Sequence, residues 1–177
     1  KRIDYINYEI TNYMTLVSSL KMNESDSTTC NALYKCFSDI ERIGDHAINI
    51  IQYSTDEDNK LSSSKYIEDE LHQLASLLSK SFSLLSTYSL DSQDECFEKI
   101  ERIEDRIDEL TASYRQAQIE RLMEKKVNAL DCVIYSEILT DVERVSDHIM
   151  NIIQEAKRCN FTLSDEAMQS DPALSAA

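Results

Sequence analysis

Two stretches of this chain offer the same chemistry. Asp39, Glu41, Arg42, Asp45, His46 and Asn49 recur 102 positions later as Asp141, Glu143, Arg144, Asp147, His148 and Asn151. Nine of the fourteen positions from Asp39 to Gln52 are identical, and the exchanges Ile40/Val142, Ile43/Val145 and Ala47/Ile149 stay apolar. Packing alone constrains the apolar set and not the polar one, so the polar identities point to a duplicated unit carrying the same chemistry twice. Within each copy two carboxylates stand four residues apart, Glu41 with Asp45 and Glu143 with Asp147. That spacing sets them one turn apart on one helix face, where like charges repel by roughly 0.2–0.5 kcal/mol in an isolated helix. A bridging cation would offset the repulsion. All-oxygen donors suit hard or borderline cations such as Mg²⁺, Mn²⁺ or iron better than Zn²⁺ held by thiolates. The competing reading pairs Arg42 with Asp39 or Asp45, and Arg144 with Asp141 or Asp147, to give a salt-bridged, solvated face. His46 and His148 are candidates for ligands or for groups that orient a ligand. Each follows its acid by one residue and so points elsewhere on the helix, which favours a structural or surface role.

A second carboxylate set lies between the copies. Glu104 and Asp108 share the four-residue spacing, with Glu101 and Asp105 beside them. If their helix packs antiparallel to the one bearing Glu143 and Asp147, the four acids could close one cation site. In the first half Ile3 and Asn7 stand where the second has Glu104 and Asp108, leaving Asp4 as the nearest acid, so the first site reads as eroded. The plain alternative is a charged face with Arg102 and Arg106 as counter-ions.

These residues need long helices to position them. With one glycine and one proline in 177 residues, the turn devices of sheets are nearly absent, and an all-α fold follows. Periodicity predicts five helices: about Ile3 to Leu20, Thr29 to Gln52, Tyr66 to Tyr88, a fourth ending near Lys125-Lys126, and Ala129 to Arg158. The first carries Ile3, Ile6, Ile10, Tyr13, Leu16/Val17 and Leu20 on one face. The fourth has the sharpest seam, Ile100, Ile103, Ile107, Leu110, Tyr114 and Ala117, and the fifth repeats it with Val142, Val145, Ile149, Ile152 and Ala156. Asn128 can cap the fifth, and Leu90 to Gln93 reads as turn plus N-cap. The polar run Ser54 to Lys60 with Ser62 to Ser64 is a linker, which divides the chain into residues 1–54, 64–159 and a polar, loose tail at 160–177. Aligned on the motif, the first two helices match the last two. The architecture is then a helical hairpin followed by a three-helix unit, and a missing first helix would make two three-helix repeats. Opening on Lys1, already in a helical pattern, suggests something upstream.

Composition removes several function classes. A formal charge of −15 opposes any phosphate backbone, since nucleic-acid binders need a basic footprint; it suits a cation or a basic partner. Five cysteines without a Cys-x-x-Cys pair give neither a zinc spacing nor a full disulfide framework, and fit a reducing, cytoplasmic setting. No apolar run approaches the ~20 residues that cross a bilayer. Among enzymes, a ferritin-like di-iron bundle needs Glu-x-x-His on two helices, a spacing missing here, and neither an activated nucleophile nor a phosphate-cradling glycine loop is visible.

Two repeats, each carrying Asp-x-Glu-Arg-Ile/Val-x-Asp-His-x-x-Asn-Ile on its last helix, resemble the PhoU family of phosphate-transport regulators. Ile107-Asp108-Glu109-Leu110-Thr111, continuing through Gln118-Ile119-Glu120-Arg121-Leu122 to the second motif, is similar to the PhoU-like cytoplasmic domain of sodium/phosphate cotransporters. The resemblance covers about residues 1 to 158. It implies an antiparallel helical bundle and a regulatory, non-catalytic role in phosphate uptake. It implies a membrane phosphate transporter as partner, on the same chain or a separate one, a place at the inner face of the membrane, and leaves room for a homodimer. It also implies metal through the Glu/Asp-x-x-x-Asp pairs: Glu143, Asp147, Glu104, Asp108, Glu41 and Asp45, holding iron or another divalent cation (Mn, Mg or Zn) in some members. The rival reading is a metal-free helical interaction module. Tyr5, Tyr8, Tyr13, Tyr34, Tyr53 and Tyr66 suit a partner surface, although helix-packing positions explain most of them equally well.

Overall fold

The computed structural model describes residues 2–55, 61 and 64–161. Most of the linker, and the tail beyond Phe161, lie outside the described residues. Five helices follow in order: α1 (Arg2–Ser18), α2 (Glu24–Thr55), α3 (Lys65–Ser86), α4 (Gln93–Met123) and α5 (Ala129–Cys159). The described residues contain no strand. A single 3₁₀ turn, Leu90–Ser92, leads into α4, where turn chemistry was expected. The Asn128 side chain accepts from the backbone N–H of Asp131 at 2.8 Å, the expected cap for one of the orphan donors at a helix start. Both long C-terminal helices end on a left-handed residue that is not glycine. Lys125 has φ 60° and Asn160 φ 53°; the next residue in each case donates back five positions, Lys126 to Arg121 and Phe161 to Ala156, closing a Schellman motif. Asn160 and Phe161 thus finish α5, and Phe161 packs on the core.

α5 is the central helix. Fifteen of its residues are buried, among them all five of its predicted seam positions, and it packs on α2, α4 and α3. The α4 seam is buried at Ile100, Ile107 and Leu110 and half-buried at Ile103 and Tyr114. α3 lies across both, its Ile67 and Leu74 joining Ile107, Leu110, Tyr135, Leu139 and Val142 in one cluster. A four-residue polar network pins it there. Glu70 of α3 receives a hydrogen bond from Tyr135 at 2.6 Å and from both terminal nitrogens of Arg121, and that guanidinium stacks on Tyr66 at 4.2 Å.

The first helix departs from expectation. Ile3, Ile6, Tyr13, Leu16 and Leu20 of its predicted packing face are exposed, as are Tyr5, Tyr8 and Tyr34, and only Met14 is buried. Helix-packing positions therefore do not account for these tyrosines. α1 touches α2 but no other helix to a comparable extent, so a stripe wide enough for two neighbours has one.

Candidate functional site at the repeat interface

The two motif helices lie against each other and run antiparallel. As numbering rises along α2 it falls along α5: the Cys159 thiol reaches the Thr28 carbonyl, the Cys36 thiol the Ile152 carbonyl, Asp39 meets His148, and His46 meets Asp141. Burial pushes the Cys36 thiol up to about 12, which keeps it a packing group rather than a nucleophile. Asp39 and His46 are seven residues apart, two helical turns, and so share the face turned toward the partner helix. The same holds for Asp141 and His148. Each aspartate of one copy takes the histidine of the other: His148 Nδ1 lies 2.8 Å from Asp39 Oδ1, and His46 Nδ1 2.7 Å from Asp141 Oδ1. Asn49 Nδ2 donates to the same Asp141 oxygen at 3.4 Å. The two imidazoles stack between these bonds, centroids 5.6 Å apart and planes 24° from parallel. A carboxylate accepts, so each imidazole donates a hydrogen bond from a protonated Nδ1, which fixes its tautomer and ring orientation.

This corrects one expectation. Packing does constrain the polar set: Asp39, Asp141 and His148 are buried, and each is hydrogen-bonded to a partner on the facing helix. The histidines take the structural role, and Asp39 and Asp141 turn to them rather than to Arg42 and Arg144. The signal was present in the sequence. A repeated Asp-x₆-His step, laid antiparallel on itself, pairs both acids with both histidines.

The carboxylates proposed as ligands fall on two faces. In the second half, α4 and α5 bring Glu104, Asp108, Glu143 and Asp147 close enough to act on one another electrostatically. Burial first, then Asp108, Asp105 and Asp147, raise the Glu104 carboxyl; burial, then Glu143 and Asp147, raise that of Asp108. Glu143 behaves oppositely. Burial raises it, but hydrogen bonds from Arg115 and Thr111 outweigh that and hold its carboxyl below the usual range. The two terminal nitrogens of Arg115 bond its two oxygens at 2.7 Å each, a bidentate fork, and the Thr111 hydroxyl donates to Oε1. Arg115 also reaches Thr140 at 3.0 Å. Asp147 sits 3.5 Å from Arg144, so one of the four anticipated salt bridges within the motifs forms. Arg102 and Arg106, the expected counter-ions of the α4 acids, pair instead with Glu98 and Glu109. Among the described residues no three His, Cys, Asp or Glu side chains are grouped so as to hold a metal ion. Sequence reasoning overlooked Arg115 and Thr111, which follow Asp108 by seven and three residues and so share its face.

In the first half, Glu41 and Asp45 line a cavity of about 190 Å³ with Arg2, Ile3, Asp4, Gly44 and Ile48. The erosion goes further than the loss of Glu104 and Asp108 equivalents. In the register that sets Ile3 against Glu104, Ile10 and Met14 replace Thr111 and Arg115, so Glu41 lacks the clamp that Glu143 has. Gly44, the counterpart of buried Ser146, lets α1 come close: a Cβ there would meet Ile3 Cδ1 at 2.9 Å.

A model of the PhoU domain matches residues 1–54 and 69–156. The chain is 28% identical over 126 residues to the phosphate-specific transport system accessory protein PhoU homolog 1 of Thermotoga maritima, covering 70% of this chain and 53% of that protein. It is 24% identical over 125 residues to the phosphate-specific transport system accessory protein PhoU homolog of Deinococcus radiodurans, covering 71% and 58%. The chain thus spans a little over half the length of these relatives. No solved structure gives a match. With that model matching most of an all-helical chain, the chain belongs to the PhoU family.

Proposed function

We propose that this domain is a regulatory accessory element of a phosphate transport system, acting by contact with the transport protein at the inner face of the membrane and not by turnover. The observation that carries this reading is the use of the repeated motif. Its most polar residues lock two repeats together through Asp39–His148 and Asp141–His46 instead of lining a cleft as an acid, base or nucleophile would. Relatives named as accessory proteins of phosphate-specific transport supply the substrate class. The cotransporter-like segment from Ile107 to Leu122 makes a sodium/phosphate cotransporter the transport module of choice. No helix among the described residues is long and apolar enough to cross a membrane, so contact with the transporter falls to the surface. Deleting the gene in its host should change phosphate uptake when phosphate is plentiful; unchanged uptake across phosphate levels overturns the proposal.

A divalent cation, iron, Mn²⁺, Mg²⁺ or Zn²⁺, is the finer part of the reading. The face that suits it is Glu104, Asp108 and Asp147, where burial first and then the neighbouring carboxylates raise two of the carboxyls and a cation would relieve the repulsion. Glu143 is engaged by Arg115, and the first-half acids Asp4, Glu41 and Asp45 share their cavity with the guanidinium-bearing Arg2, so binding belongs to the second half and requires the three side chains to converge. Mn²⁺ or Fe²⁺ should then raise the melting temperature by mass action, and Asp147→Ala should abolish the rise while Asp45→Ala retains it. A melting temperature flat across the titration leaves the metal-free interaction module, which the exposed apolar face of α1 and α2 favours.

A further inference from the structure

Acids outnumber lysines and arginines by 33 to 18 in this chain, and they are spread unevenly. Residues 71–90, which include most of α3, hold no aspartate or glutamate, the longest such run in the sequence, and Lys80 is their one lysine or arginine. In the folded domain this stretch borders a groove of about 400 Å³, lined by Lys80, Ser83 and Leu84 of α3 and by Lys99, Arg102 and Ile103 of α4. The floor is apolar. Leu84 and Ile103 are half-buried, each packed on a core cluster from its inner side. The rim is cationic, with three positive side chains among the six that line the groove and no negative one. Lys80 has no carboxylate partner among the described residues. Lys99 and Arg102 meet Glu95 and Glu98, one turn back on their own helix, at 2.6 and 3.0 Å. Exposed pairs of this kind are weak and screened by salt, so both cations are free to exchange their carboxylates for others.

We propose that the α3–α4 groove binds a short acidic segment of a partner protein. The segment seats one leucine- or phenylalanine-sized side chain on Leu84 and Ile103, and sets carboxylates against Lys80 on one wall and against Lys99 and Arg102 on the other. Clusters of cations read acidic motifs in this way, and complementary charge fixes the register and speeds the encounter. The form of the site favours a segment over an anionic bilayer. A bilayer is an extended plane that would meet the surrounding acids of a chain of formal charge −15 as well as the rim. A few residues of peptide meet the groove alone, with charges beyond about 8 Å screened at physiological ionic strength. Arg102 and Glu104 stand about 200° apart around α4, so the groove is separate from the acidic face that α4 shares with α5. Neither the groove nor its charge depends on the transport role proposed above.

Fluorescence anisotropy on the whole chain tests this with a set of labelled peptides of about twelve residues, each with a central Leu or Phe flanked by Asp and Glu. Controls replace every Asp and Glu by the corresponding amide. At least one acidic peptide should bind saturably, with its amide control weaker by about tenfold or more, and raising NaCl from about 50 mM to about 300 mM should loosen it. Lys80→Glu combined with Arg102→Glu should weaken binding by about tenfold or more. Lys21→Glu combined with Lys65→Glu makes the same change of net charge outside the groove and should leave binding within about twofold. All four substituted side chains are exposed, so circular dichroism should show an unchanged helical fold in both variants. Three results overturn the proposal. One is the absence of saturable binding by any acidic peptide. Another is an equal loss in the two double variants, which makes the attraction one of net charge. The third is a different occupant in place of the peptides: pelleting with phosphatidylserine-containing vesicles, or a dimer in sedimentation, that Lys80→Glu/Arg102→Glu abolishes.

Discussion

Glu143 and Asp108 lie on the same acidic face and shift in opposite directions: at Glu143 the hydrogen bonds from Arg115 and Thr111 outweigh burial, whereas at Asp108 burial and the charges of Glu143 and Asp147 outweigh the pull of Arg115. For Glu143 the folded carboxyl is the stronger acid, so its pairing with Arg115 adds stability above the ordinary glutamate range, about pH 4.3, and that stability is lost as pH falls through the lower folded value. Arg115→Ala should therefore cost about 1–2 kcal/mol in urea unfolding at neutral pH, and the deficit should shrink toward pH 3. A cost independent of pH would deny the ion pair its role. At the repeat interface, Asp39 and His148 are coupled by one buried bond, and a double-mutant cycle with Asp39→Ala and His148→Ala should return an interaction of about 0.5–3 kcal/mol. The same cycle on Asp141 and His46 should give less, since the His46 side chain is 23% exposed against 10% for His148. Additivity of either pair would mean the aspartate and histidine are neighbours without partnership. The motif was plain in the sequence, yet its use was not. Identity at Asp39, His46, Asp141 and His148 reports that something is conserved between copies, and only the antiparallel pairing of their helices shows that each copy completes the other.

At the scale of elements, the five helices were legible because period, caps and breakers agreed: the Asn128 cap, the seams of α4 and α5, and the turn before Gln93 all stand where residue patterns put them. The first helix was not, for a physical reason. An apolar stripe states which face wants cover and not whether a neighbour is there, so Ile6 and Tyr13 read like Ile107 and Tyr114 although their surroundings differ. α1 is correspondingly the least anchored helix, and at Gly44 it comes close to α2. Gly44→Ala trades that fit against propensity. The group a new Cβ meets is the tip of Ile3, a flexible and exposed side chain, while glycine within a helix costs about 0.8–1.0 kcal/mol relative to alanine. The substitution should stabilise the domain by about 0.5 kcal/mol or more in thermal unfolding. Destabilisation would show that α1 is held to α2 too rigidly to yield.

At the scale of the whole molecule, the α2–α5 contact has a form that packing between unlike helices does not require. Residue i of one half meets residue j of the other, and j of the first meets i of the second, about a pseudo-dyad beside Ile43 and Val145. That reciprocity is the mark of an isologous interface, the kind two identical subunits make about a two-fold axis. Such a contact is self-complementary, and it should hold without a covalent connection between α2 and α3. Cut within residues 56–63, the two pieces should recognise each other when co-expressed and elute as one helical species, and Asp39→Ala with Asp141→Ala should let them part. In the intact chain the covalent connection makes that association intramolecular, at an effective concentration that depends on its length.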